Sequence, residues 1–350
     1  MKLNTKIKLR SKGYPYTYAR ISVMRRNLLP RNEYHKLMKM KVESIARYLE
    51  ESSYKSAIDK EGLRYRGADL IEHSLNVDLV NTFIKLRRIS PPEVRILIDT
   101  YAGRWDMYNI KTVIRGIYSK ADKNYIKSLL IPAGLLDEMV LDELLKKESV
   151  ENIIRSTRIL KLEKVKDALR TLSETRKLVE IENKLDQIYY ENCLLVAKRL
   201  GHEGKLFRKF LMMEIDIINI RNILRMKREK FDKKECMSYI IFSGEKLKKG
   251  MLEKLAALES VESVVEELKK TNYGELLKNT QSSLIDAELE LDRYLIKRSF
   301  LYTHQYPMSV MSILAFMLGK IMEVKNLKTI AKAKQLGIEE SIIEEKLVVV

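Results

Sequence analysis

Three carboxylates each stand three residues ahead of an asparagine and five ahead of a base: Asp106/Asn109/Lys111, Asp216/Asn219/Arg221 and Glu323/Asn326/Lys328. An acid beside an amide and a cation could hold a water or a carbonyl and move a proton. Three copies of one set argue against that, because a reaction centre brings different groups to a single pocket. In the copy "EIDIINIRNIL", residues 214 to 224, Ile215, Ile218, Ile220, Ile223 and Leu224 are spaced like the apolar stripe of a helix. Asn219 interrupts that stripe and needs a polar partner once buried. The spacing therefore predicts architecture. Acid and Asn, three apart on one helix face, are expected to satisfy backbone or side-chain groups of a neighbouring helix, and replacing Asn219 by Leu to cost roughly 1–3 kcal/mol.

The other reactive residues form no complete constellation. Gly204-Lys205-Leu206 and Gly319-Lys320-Ile321 lack the hydroxyl residue and the leading glycine of a phosphate-binding loop. No HExxH, GxSxG or GxGxxG occurs. His35, His73, His202 and His304 are scattered, with no Cys or acidic cluster at metal spacing. Cys193 and Cys236 make neither a disulfide framework nor a metal pair. No cofactor, no metal and no small-molecule substrate are expected.

The elements that carry the acid–Asn sets recur as well. The asparagines are 110 and 107 residues apart. "KVESIARYL", "SVENIIRST" and "SVESVVEEL" align on Val42, Val150 and Val261, 108 and 111 apart, each with apolar residues at i, i+3 and i+4. A third set, "IEHSLNVDLV", "IENKLDQIYY" and "AELELDRYLI", aligns on Glu72, Glu182 and Glu288, which precede the asparagines by 37, 37 and 38 residues. Three markers in one order at near-constant spacing make a triplicated chain. The expected units are 1–124, 125–234 and 235–350, all helical, with no useful strand alternation. "SPPE" at 90 to 93 predicts a helix start with Ser90 as N-cap and Glu93 in the capping box. Pro307 predicts a corresponding start in the third unit, and Gly201 with Gly204 a stop and restart in the second.

Composition fits long helices and an acidic partner. The 350 residues hold only 13 Gly and 6 Pro, and none of the prolines falls between Pro132 and Pro307. Net charge is +18, distributed as +13, +6 and −1 over the three units. Such a surplus seeks nucleic acid, an anionic membrane surface or an acidic protein. Tyr14, Tyr16, Tyr18, Arg20, Arg25, Arg26 and Arg31 could stack bases and neutralise phosphates. Equally, the tyrosines could pack the first unit while the arginines face solvent or a partner, and spacing leaves both open. The most apolar stretch, Val310 to Leu318, is about nine residues long, below the roughly 18–20 of a membrane span. The start, "MKLNTKIKLRSKG", lacks the apolar core of a signal peptide.

Taken in order, "YARISVMRRNLL" (18–29), "WDMYNIKTVIRG" (105–116), "EIDIINIRNILRMK" (214–227) and the ending "YPMS…MEVKNLKTIAKAKQLGI" with its tail "IEEKLVVV" resemble a known family. It is the C subunit of archaeal-type (A-type) ATP synthases, related to the d subunit of the eukaryotic vacuolar proton pump. The resemblance spans essentially the whole chain; the basic leader through Tyr16 runs longer than the family pattern. It implies an all-α funnel of three helical-bundle units with pseudo-threefold symmetry and a central hollow. It also implies a non-catalytic rotor part on the cytoplasmic face, peripheral to the membrane. The implied partners are the membrane ring of proteolipid subunits and the central stalk, with no nucleic acid and no transmembrane segment of its own. Arg20, Arg25 and Arg26 then become candidates for docking on ring or stalk.

Overall fold

The computed structural model describes residues 14–277 and 283–349, so the basic leader up to residue 13 lies outside the described residues. The protein is all-α, and among the described residues there is no strand. Through the first stretch run α1 (Pro15–Arg26), α2 (Arg31–Met38), α3 (Val42–Glu50), α4 (Lys55–Glu61), α5 (Gly67–Ile89), α6 (Pro92–Tyr118) and α7 (Lys123–Ser128). Then come α8 (Glu138–Leu144), α9 (Val150–Thr157), α10 (Lys166–Thr175), α11 (Val179–Arg199), α12 (Gly201–Arg228) and α13 (Lys233–Ser238). Last are α14 (Lys249–Ala257), α15 (Val261–Leu268), α16 (Leu284–Gln305), α17 (Val310–Gln335) and α18 (Glu340–Glu345). The order recurs: short helices, two long ones, one short helix.

Local chemistry sets the starts and stops. Ser149, Ser260, Ser283 and Ser309 cap α9, α15, α16 and α17 by accepting backbone N–H bonds. Asp232 and Glu235 form a full capping box on α13. Gly201, at φ +57°, opens α12 two residues after the end of α11, in the left-handed region that favours glycine. Ser90 departs from expectation: Pro91 is the N-cap of α6, no side chain caps it, and the Ser90 hydroxyl is buried without a partner. Successive prolines place the helix start one residue later than a serine cap would, since Pro92 fits the first turn and needs no N–H acceptor there.

The chain divides into two compact units, one of Phe83–Arg208 and the other of residues 14–82 with 209–349. In the first, α6 and α11 pack antiparallel, burying Leu97, Tyr101, Ile110 and Ile114 with Ile181, Leu185 and Ile188. In the second, α16 and α17 form the main packed pair, and α1, α2 and α3 also lie against α17. Every residue from Ser309 to Lys320 is buried. That explains why Val310–Leu318 has no polar face: the helix is covered all round. Among the described residues no helix is long and apolar enough to cross a membrane.

Candidate functional site

The acid–Asn sets lie midway along α6, α12 and α17, and all six residues are at most 3% exposed. Asn109 donates Nδ2 to the Ile131 carbonyl at 2.8 Å while its Oδ1 accepts the Ile131 N–H at 2.8 Å. Asn219 does the same to Ile241 at 2.8 and 2.9 Å, and Asn326 to Val348 at 2.8 and 3.0 Å. The gripped residue is 22 positions downstream each time, just past α7, α13 or α18. The partners are thus non-helical segments rather than a neighbouring helix. An amide fits this task because it pairs with both backbone groups of one residue, leaving neither orphaned.

One turn earlier, the acids grip the next stretch of chain. Asp106 accepts the N–H of Leu135 at 2.9 Å and of Leu136 at 2.8 Å. Asp216 accepts Lys246 N–H at 2.6 Å, Leu247 N–H at 3.2 Å and the Tyr273 hydroxyl at 3.0 Å. Glu323 accepts the N–H of Leu29 at 2.6 Å together with the Tyr54 hydroxyl. A Cβ on Gly134 would come within 2.1 Å of Asp106 Oδ1, and one on Gly244 within 1.8 Å of Asp216 Oδ1. A short acid therefore needs glycine in the chain it grips. Glu323 is one methylene longer and grips its segment beside Leu28. Burial raises Asp106 to about 6 against the pull of the Leu135 and Leu136 amides. Burial also raises Asp216, opposed by the Lys246 amide and the Tyr273 hydroxyl.

The bases complete a head-to-tail set of contacts. Lys111 meets Asp186 at 2.7 Å, Arg221 meets Asp292 at 2.6 Å, and Lys328 donates to Asn76 Oδ1 at 2.7 Å. One turn or so further on, Arg115 pairs with Glu182 at 2.5 Å, Arg225 with Glu288 at 2.5 Å and Lys332 with Glu72 at 2.6 Å. The marker glutamates thus receive the base six residues beyond each asparagine. The first sequence repeat reaches the second, the second the third, and the third the first. Each set of acid, asparagine and two bases, with what it grips, makes one joint.

Sequence reasoning missed three participants. Tyr54 and Tyr273 both stand twelve residues after a marker valine; the matching position in the second repeat is Leu162. Lys320, 5% exposed, lies 2.7 Å from Asp78, 2.9 Å from Glu323 and 2.8 Å from the Tyr54 hydroxyl. Burial works against its ammonium, yet Glu323 and Asp78 outweigh it and hold the pKa above the usual lysine value. Counted from the asparagines and glutamates, Lys320 and Asp78 replace Gly103 and Ile188 of the first joint, and Met213 and Tyr294 of the second. That comparison was available from the spacing alone.

Of the basic residues on α1, Arg20 and Arg26 are exposed, while Arg25 is half-buried, donating to Thr303 Oγ1 at 3.3 Å with its guanidinium 5.7 Å above Phe300. Among the described residues no group of three or more His, Cys, Asp or Glu could hold a metal ion.

Known proteins resemble this chain along nearly its whole length. The ATP synthase (C/AC39) subunit family matches residues 17–346. A protein of Methanococcoides burtonii, named as the C subunit of an A-type ATP synthase, is 38% identical over 346 residues, covering 97% of this chain and 95% of its own. Namesakes from Methanosarcina acetivorans and Halobacterium salinarum are each 34% identical, covering 97% and 96% of this chain and 93% and 97% of their own. Nothing in these relatives supports the nucleic-acid alternative. With triplicate joints in the fold and similarity along nearly the whole sequence, the chain belongs to the ATP synthase (C/AC39) subunit family.

Proposed function

We propose that the chain is a non-catalytic rotor part of an A-type ATP synthase, coupling the central stalk to the membrane ring of proteolipid subunits during ion transport. The near full-length likeness to proteins named as the C subunit of that machine carries this reading. The joints support it physically. Each acid that could have served as a proton carrier is taken up by backbone amides, two of them assisted by a tyrosine. Such groups stiffen rather than react. The head-to-tail order of contacts supports three homologous units, 1–124, 125–234 and 235–350, set with pseudo-threefold symmetry as a funnel around a central hollow. A body of interlocked helices of this kind passes torque with little deformation while its joints are shut. Its place is the cytoplasmic face, peripheral to the membrane.

Docking is assigned to the basic first unit, with Arg20, Arg25 and Arg26 contributing. Three pseudo-equivalent units facing a ring whose number of members need not be a multiple of three do not depend on identical pairing at every contact, so distributed charge attraction suits them better than knob-in-hole packing. The test is binding of the purified chain to detergent-solubilised proteolipid ring across ionic strength. Binding is expected to weaken as salt rises and to fall further on Arg20→Glu with Arg26→Glu at unchanged melting temperature. Salt-insensitive binding, or none, overturns the reading.

A further inference from the structure

We propose that the joint between the third and first repeats is a latch, which opens and recloses while the other two joints stay shut. In the first joint, Asn109 and Asp106 grip one continuous run of chain, from Ile131 to Leu136. In the second, Asn219 and Asp216 likewise grip Ile241 to Leu247. Asn326 and Glu323 instead grip Val348 and Leu29, segments 319 positions apart in the sequence that can leave separately. Where the other joints continue the backbone, this one has two segments meeting at a shared clamp.

The seal differs in kind as well. At the positions of Lys320 and Asp78 the first joint carries the uncharged Gly103 and Ile188 and the second Met213 and Tyr294, whereas the third holds the Lys320–Asp78 ion pair, with Glu323 and Tyr54 on the same ammonium. Parting these charged groups lets each be hydrated again, which offsets much of the lost attraction. A cavity of about 190 Å³ adjoins the clamp, lined among others by Leu28, Pro30, Phe300, Met322 and Val348. Fewer dispersion contacts are therefore lost when the two segments move.

Native-state hydrogen exchange on the full chain tests the latch without any ring or stalk present, so its failure is distinct from failure of the rotor reading. The amides of Leu29 and Val348 are expected to exchange at least about tenfold faster than those of Ile131, Leu135, Ile241 and Lys246. Glu323→Gln should speed Leu29 and Val348 further and leave the other four unchanged. Lys320→Met with Asp78→Tyr, which removes both charges and installs the residues the second joint carries at these positions, should slow them toward the Ile241 rate. Equal protection at all three joints in the unaltered chain overturns the proposal, as does acceleration by Glu323→Gln at all six amides alike. The unaltered comparison decides even where a variant fails to fold.

Discussion

Asp106 and Asp216 hold matching places in consecutive repeats, and both reach backbone amides about thirty residues downstream. They differ in what else meets the carboxylate. Tyr273 gives Asp216 a third donor, while Leu162 stands at the corresponding place for Asp106. Burial pushes Asp106 up to about 6 against the Leu135 and Leu136 amides, and pushes Asp216 up as well, against the Lys246 and Leu247 amides and the Tyr273 hydroxyl. The pair shows that one architectural task, fixing a non-helical segment against a long helix, tolerates unequal electrostatic provision.

The largest expected effect is in how stability depends on pH. An acid whose pKa rises on folding binds its proton more tightly in the native state. Its contribution is therefore fully present below the unfolded value of 3.8 and lost as pH climbs to about 6. That loss is on the order of 3 kcal/mol. Asp106→Asn should flatten this slope in urea titrations run from acid to neutral pH, and a slope that survives the substitution assigns it to another group. Next comes the amide clamp. Asn219→Leu orphans the N–H and C=O of Ile241 and is expected to lower unfolding free energy by about 2 kcal/mol, with Asn109→Leu acting alike. Unchanged stability with lost ring binding would make Asn219 an interface residue. Giving the first joint the missing donor by Leu162→Tyr should add about 1 kcal/mol and bring the Asp106 pKa down when followed by NMR titration; no movement of that pKa means the hydroxyl does not arrive. The smallest effect belongs to Arg225 with Glu288, whose guanidinium is half exposed. A double-mutant cycle to Ala should return less than about 1 kcal/mol of coupling, shrinking with salt.

The helices and the acid–asparagine markers were legible because their signals are local: an i, i+3, i+4 stripe and a polar residue breaking it. The partners were not legible for the opposite reason. Arg115 finds Glu182 across 67 residues and Lys328 finds Asn76 across 252, distances at which a single sequence carries no pairing information. The glutamates themselves were visible as markers; what they marked was not. Recurrence offered one unused clue, since Arg115, Arg225 and Lys332 all fall six residues beyond an asparagine. Ser90 misled because the serine-capping rule competes with the stronger backbone demand of Pro91 and Pro92. What covers the first half of α17 was hidden too, because an apolar run says that a helix is covered without saying by what.

That covering helix has a consequence for how the chain is made. α1 lies against α17, with Leu28 directly over Gly319. At roughly 5–20 residues per second, α1 leaves the ribosome tens of seconds before its partner exists. The first described helix is thus kept waiting for nearly the last one, so the third joint can be finished only after translation has passed α17. Pulse-chase proteolysis of arrested nascent chains should find α1 cleavable until residues 310–335 have emerged.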